Sequence, residues 1–212
     1  ACSGTSKKAL MPPTTARRYS ANISAGSLKI AESRVVAELL LRGIDDEGWQ
    51  KAIVEDNALQ ARNPRTAIRI GRLVRQRLEL MRPELWQLVV DGSGTVVTHA
   101  VLAAAIKHSP LLGDFLDIVV RDQLRLFATT LPKRLFDTFL DDCRGRDPDM
   151  PQFNDSTRRK LQTTIYHILV QAGYLGDTRT LRLRPVQIAE QVRRYLSQNR
   201  EEYVLRCIQV GP

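Results

Sequence analysis

The chain has 212 residues, 43% of them hydrophobic and 26% charged, and a formal net charge of +9. That is enough for one large or two small globular domains, and the mostly arginine excess favours a polyanion partner, either nucleic acid or an anionic membrane surface. No apolar run reaches the roughly 18–20 residues of a membrane-spanning helix. Cys2, Cys143 and Cys207 lie far apart, which argues against a zinc site or a disulfide framework and for a reducing cytoplasm.

Residues 1–19 read as a flexible basic tail without a secretory apolar segment, whose Lys7, Lys8, Arg17 and Arg18 can touch phosphates without reading sequence. A first helix is predicted from about Ala31 to Arg42, with Val35, Val36, Leu39 and Leu40 as its stripe and Gly43 as its stop. A second follows the Asp45-Asp46 cap, with Trp49, Ile53 and Val54 facing inward. The pair gives the N-terminal part a helix-turn-helix-like character.

Asn63-Pro64 opens the clearest amphipathic helix, which is expected to run to about Met81. Ala67, Ile70, Val74, Leu78 and Met81 share one sector of its wheel, and Arg62, Arg65, Arg69 and Arg72 lie almost opposite. A solvated helix face usually mixes signs to gain i,i+4 pairs. These arginines repel one another, so phosphates or acidic residues on a packed neighbour (Glu55, Asp56 or Glu84) must compensate them.

Pro83 begins a short helix, and Asp91-Gly92-Ser93-Gly94 is the strongest interior break. The implied organisation is a tail at 1–19, a helical domain at 20–91 and a second helical domain at 92–212. Thr95 to His108 is apolar around much of its circumference and reads as a central buried helix. His99 and His108 read as core-edge or capping residues rather than metal ligands. Ser109-Pro110 starts a helix to about Phe127, and Leu131-Pro132 restarts the chain into Leu135, Phe136, Phe139 and Leu140. A charged loop is expected over 141–151. Its Asp141, Asp142, Asp147 and Asp149 are the nearest approach to a metal nuclease site, although Arg144 and Arg146 among them point equally to local pairing.

Asn154 or Asp155 caps the next helix, which Ala172-Gly173 closes. Leu161, Ile165, Ile168, Leu169 and Ala172 form its core stripe. Ser156, Arg159, Lys160, Thr163 and His167 form the opposite face, with side chains suited to phosphates and base edges; a plainly solvated face would look the same. A strand at 173–175, a turn at Gly176-Asp177 and a strand over 180–184 are then expected, a β-hairpin that makes the C-terminal part winged-helix-like. Pro185 leads into a last amphipathic helix, and Tyr203 to Val210 should pack back as a helix or a strand. No phosphate-cradling glycine loop, nucleophile elbow or zinc-protease motif is present, and no cofactor is implied.

The phrases YSANISAGSLKIAESRVVAELLLRG, AIVEDNALQARNPRTAIRIGRLVRQRLE, ELWQLVVDGS, AAAIKHSPLLGDFLD, CRGRDPDMPQFNDSTRRKL and LVQAGYLGDTRTLRLRPV together resemble the BrxA family of bacterial BREX phage-defence systems, from about Tyr19 to Val210. The resemblance implies a small, cytoplasmic, mostly helical DNA-binding protein encoded among defence genes. The family's likeness to the antitermination factor NusB adds RNA as a ligand. It supplies no catalytic motif.

The sequence reading is therefore a mainly α helical bundle that binds double-stranded DNA without catalysis and without a membrane. Arg159, Lys160, Thr163 and His167 are expected on a groove-facing helix, Arg179, Arg182 and Arg184 on a wing, and Arg62, Arg65, Arg69 and Arg72 on a second phosphate-binding stripe. The alternatives are an RNA-binding antitermination-like factor, an assembly subunit for other BREX proteins, and a metal nuclease.

Overall fold

Three helices begin on side-chain caps that the sequence supplies. Asn63 Oδ1 accepts from the Thr66 amide at 2.9 Å, Asn154 Oδ1 from the Thr157 amide at 2.9 Å, and Asp45 Oδ1 from the Gly48 amide at 2.8 Å. Each satisfies an amide that has no partner within its own helix. The computed structural model describes residues 18–211, apart from the side chains of Ser24 and Ala25. The tail cations Lys7, Lys8 and Arg17 lie outside the described residues.

The chain is mainly helical. After a 3-10 turn at Ala21–Ala25 come α1 (Ile30–Leu41), α2 (Asp46–Gln50), α3 (Pro64–Leu78), α4 (Pro83–Asp91), α5 (Thr95–His108), α6 (Pro110–Asp114), α7 (Arg121–Arg125), α8 (Arg134–Arg146), α9 (Asp155–Gln171), α10 (Glu190–Gln198) and α11 (Glu202–Ile208). A π-helical turn, Lys51–Glu55, extends α2, and another, Phe115–Val120, joins α6 to α7.

α5 is the centre. Its residues from His99 to Ile106 are all buried, and α1, α3, α4, α6, α10 and α11 pack around it. Helices on both sides of Asp91–Gly94 thus share one apolar core. Between α5 and α6 the axis bends by 110° at Ser109-Pro110. Proline lacks the amide that would continue the helix, and its ring pushes the preceding residue out of the helical region; Ser109 sits at φ −130°, ψ 94°. Among the described residues no single helix is long and apolar enough to cross a membrane, and the pair that would suffice together is this bent one.

Asp114 is the polar knot of the core. It accepts from Arg18 Nε at 3.0 Å and Nη2 at 2.9 Å, from the Tyr19 hydroxyl at 2.6 Å and from the Tyr203 hydroxyl at 2.8 Å. Asp147 accepts from the Arg18 and Tyr19 amides at 3.0 and 3.1 Å. The last residues of the expected tail are therefore pinned to the body. Gly113 permits the Tyr203 contact, because a Cβ there would lie 2.5 Å from the tyrosine hydroxyl.

Three expectations are corrected. The segment 141–146 is helical rather than loop, because Phe136, Phe139, Leu140 and Cys143 continue one buried stripe along α8. α10 starts at Glu190, later than Pro185. The Ala189 amide is instead drawn to His99 Nδ1 at 3.0 Å, a contact to α5.

The β-hairpin, and with it the winged-helix expectation, also gives way. Asp177 accepts from the amides of Arg179 and Thr180 and from the Thr180 hydroxyl, and the Leu181 amide reaches back to the Asp177 carbonyl. This turn uses up residues 177–180, and Leu181 follows in left-handed conformation at φ 54°. Only isolated antiparallel bridges remain, Leu175 with Leu183 and Thr130 with Arg182. The second joins this segment to the chain after α7, a pairing with no local sequence signal.

Candidate nucleic-acid interface

α3 sorts its arginines by face. Arg77 points inward, 2% exposed, and donates to the carbonyls of Ser27 at 2.9 Å and Gly26 at 3.4 Å. Burial pulls its guanidinium down to about 10. Arg75 faces α2, bonds Glu79 at 2.7 Å, approaches Asp46 at 3.6 Å and stacks over the Trp49 ring at 4.7 Å. Glu79, the carboxylate at the C-terminal cap of α3, is therefore already engaged.

Arg62, Arg65, Arg69 and Arg72 are exposed. Among the described residues no ion pair joins Arg62, Arg65 or Arg72 to any carboxylate, including Glu55, Asp56 and Glu84. Arg65 and Arg72 thus keep unneutralised charge roughly 10 Å apart along α3, with Arg62 just before its cap.

α9 presents Arg159, Lys160, Thr163 and His167 to solvent, opposite the buried Leu161, Ile165, Ile168 and Leu169. Its first turns are mixed in sign. Arg158 pairs with Asp141 at 3.1 Å and Asp137 at 3.6 Å, and Arg159 shares a surface depression with Asp137 and Asp155. Arg179, Arg182 and Arg184 are exposed on the turn and bridged segment after α9. Arg184 lies over Gly176, its guanidinium 3.2 Å from where a Cβ there would stand.

The remaining chemistry goes to the fold. Asp147 caps amides, Asp141 holds Arg158, and no cluster of three or more His, Cys, Asp or Glu able to hold a metal occurs among the described residues. His99 and His108 are lowered by burial, His108 further by Arg77. Cys143 and Cys207 are buried thiols, both pushed up to about 12 by desolvation. Tyr166 and Tyr174, the tyrosines closest in sequence to the basic faces, are core residues. Their hydroxyls donate to the carbonyls of Pro132 at 3.1 Å and Ile208 at 2.5 Å. The exposed aromatic is Phe127, which sequence reasoning placed at a helix end and passed over.

The BrxA family model matches residues 17–200. The chain belongs to the BrxA family. A relative in Paramagnetospirillum magneticum (strain ATCC 700264 / AMB-1), named BREX protein BrxA, is 55% identical over 194 residues, 92% of this chain and 98% of the relative. One of the same name in Escherichia coli O9:H4 (strain HS) is 34% identical over 167 residues, 79% of this chain and 78% of the relative. A crystal structure of an uncharacterized protein from Magnetospirillum magneticum superposes with a TM-score of 0.85 at 52% identity, over 92% of this chain and all of that one. The central α5, the Asp114 knot and the arginine-lined α3 thus belong to a BrxA-family chain.

Proposed function

We propose that this BrxA-family chain is a double-stranded-DNA-binding, non-catalytic component of a BREX phage-defence system. One observation carries the reading: three exposed arginines in a row on and beside α3 have no carboxylate partner, while the nearby Glu79 and Asp46 are held by Arg75. A row of uncompensated guanidinium groups matches a phosphate backbone, which releases counterions when neutralised. The α9 face, with Lys160, Thr163 and His167, provides a second contact, and the α1–α2 joint at Gly43 is the helix-turn-helix-like part of the reading.

The buried state of Tyr166 and Tyr174 favours duplex over looped RNA, whose unstacked bases are held on aromatic faces. The test is fluorescence anisotropy on a labelled duplex, repeated with structured RNA as competitor and across a salt series. Duplex preference and a steep fall with salt are expected; preferential displacement by RNA would assign the faces to RNA. Retained DNA affinity in Arg65→Glu plus Arg72→Glu, with loss of a complex with other BREX proteins, would make the stripe a protein contact.

A further inference from the structure

Leu126 and Phe127 are 73% and 84% exposed, far more than any other large hydrophobic side chain among the described residues. They end α7 in a Schellman turn: the Phe127 amide bonds the Leu124 carbonyl at 3.0 Å and the Ala128 amide bonds the Gln123 carbonyl at 2.9 Å. Phe127 is the left-handed residue of that turn, at φ 53°. Glycine or asparagine normally fills the position, because a Cβ there crowds the backbone. The chain thus accepts backbone strain and an exposed aromatic at one residue, a combination that marks function more than folding.

The surroundings specify the ligand. A shallow depression of about 280 Å³ beside the ring is lined by Leu124, Phe127, Leu183, Pro185 and Arg182. Arg125 is exposed two residues before the ring, with Arg184 further along the bridged segment, and no ion pair engages Arg125, Arg182 or Arg184 among the described residues. Asp122 is the one carboxylate on α7. Two apolar side chains offer too little surface for a stable protein interface, which takes roughly 800 Å² from each partner. They are the size of a single base step, and architectural DNA-binding proteins use such apolar wedges between cations that hold the flanking phosphates.

We propose that Leu126–Phe127 is a wedge that inserts at a base step of bound duplex DNA while Arg125 and Arg182 hold the phosphates beside it. The inference rests on the duplex-binding reading above and goes beyond it by naming a deformation. The Schellman turn makes the wedge rigid, so insertion costs little ordering of the protein. Easily unstacked pyrimidine–purine steps should be preferred.

The experiment compares the full chain with Phe127→Gly and Phe127→Trp on a short duplex carrying end dyes and a fluorescent base analogue. Binding is read by anisotropy, bending by energy transfer between the dyes, and unstacking by the analogue. The wild type should bend the duplex and brighten the analogue severalfold. Phe127→Gly should melt at a higher temperature, because glycine relieves the strain. It should bind within about tenfold of wild type, as loss of one stacking contact allows, yet leave the duplex straight. Phe127→Trp should restore bending. Equal bending by wild type and Phe127→Gly, or binding without any bending, overturns the wedge and leaves duplex binding intact. Absence of duplex binding by the wild type overturns both. A Phe127→Gly chain that changes oligomeric state with unaltered DNA geometry makes the tip a protein contact and also overturns the wedge.

Discussion

α3 and α9 are both long amphipathic helices with cationic outer faces, but they distribute carboxylates differently. On α3 the nearby Glu79 and Asp46 are drawn to Arg75, and among the described residues Arg62, Arg65 and Arg72 are left without an ion pair. On α9 the acids sit within the face: Asp137 and Asp141 hold Arg158, and Asp137 and Asp155 border Arg159. A cation in this chain either holds the fold or is left for a ligand, and the position of the nearest carboxylate decides which. Counting basic residues shows that both helices are cationic and not which of their cations are already engaged.

The sharpest way to break the comparison is to reverse the outer row. Arg62→Glu, Arg65→Glu and Arg72→Glu together should lower duplex affinity by about a thousandfold at low salt, near one decade per phosphate contact reversed. The melting temperature should hold, since none of the three makes an ion pair among the described residues. Arg77→Ala, on the inner face of the same helix, should do the opposite. It leaves two half-buried carbonyls without a donor and opens a cavity, which should cost about 3 kcal/mol in denaturant unfolding with no change in salt dependence.

On α9, Arg159→Glu with Lys160→Glu should weaken binding only about tenfold, because Asp137 and Asp155 already offset part of that charge. The smallest effect sharpens the point most. Asp137→Asn removes one of those offsetting charges, and duplex affinity should rise about two- to threefold. A fall would mean that Asp137 positions the face rather than neutralises it.

The helices were legible where their signals are local. Asn63, Asn154 and Asp45 sit beside the amides they cap, and Ala67, Ile70, Val74 and Leu78 describe the α3 stripe without reference to any other segment. What failed depends on distant partners. The Ala189 amide is satisfied by His99, ninety residues earlier, so α10 begins late. Thr180 to Arg184 alternates like a strand, yet its pairing partners include Thr130, and Leu181 within it turns left-handed. Asp177 made that turn readable as a turn, but not the use of three further residues in it.

The basic faces were readable from helical wheels, because exposure follows from periodicity. Which arginines are spoken for was not, since Arg75 needs Asp46 and Trp49 from α2, and Arg158 needs Asp137 and Asp141 from α8. Phe127 was missed for a related reason: a phenylalanine at a helix end is normally core, and only the fold shows this one standing out from the surface.

The central claim is that the α3 row neutralises phosphates. Its most direct test is the slope of log affinity against log salt for wild type and the Arg62, Arg65, Arg72 triple variant on one duplex. The account predicts a slope shallower by about 2.7 in the variant, three phosphates at roughly 0.9 each. Parallel lines for the two proteins would contradict it.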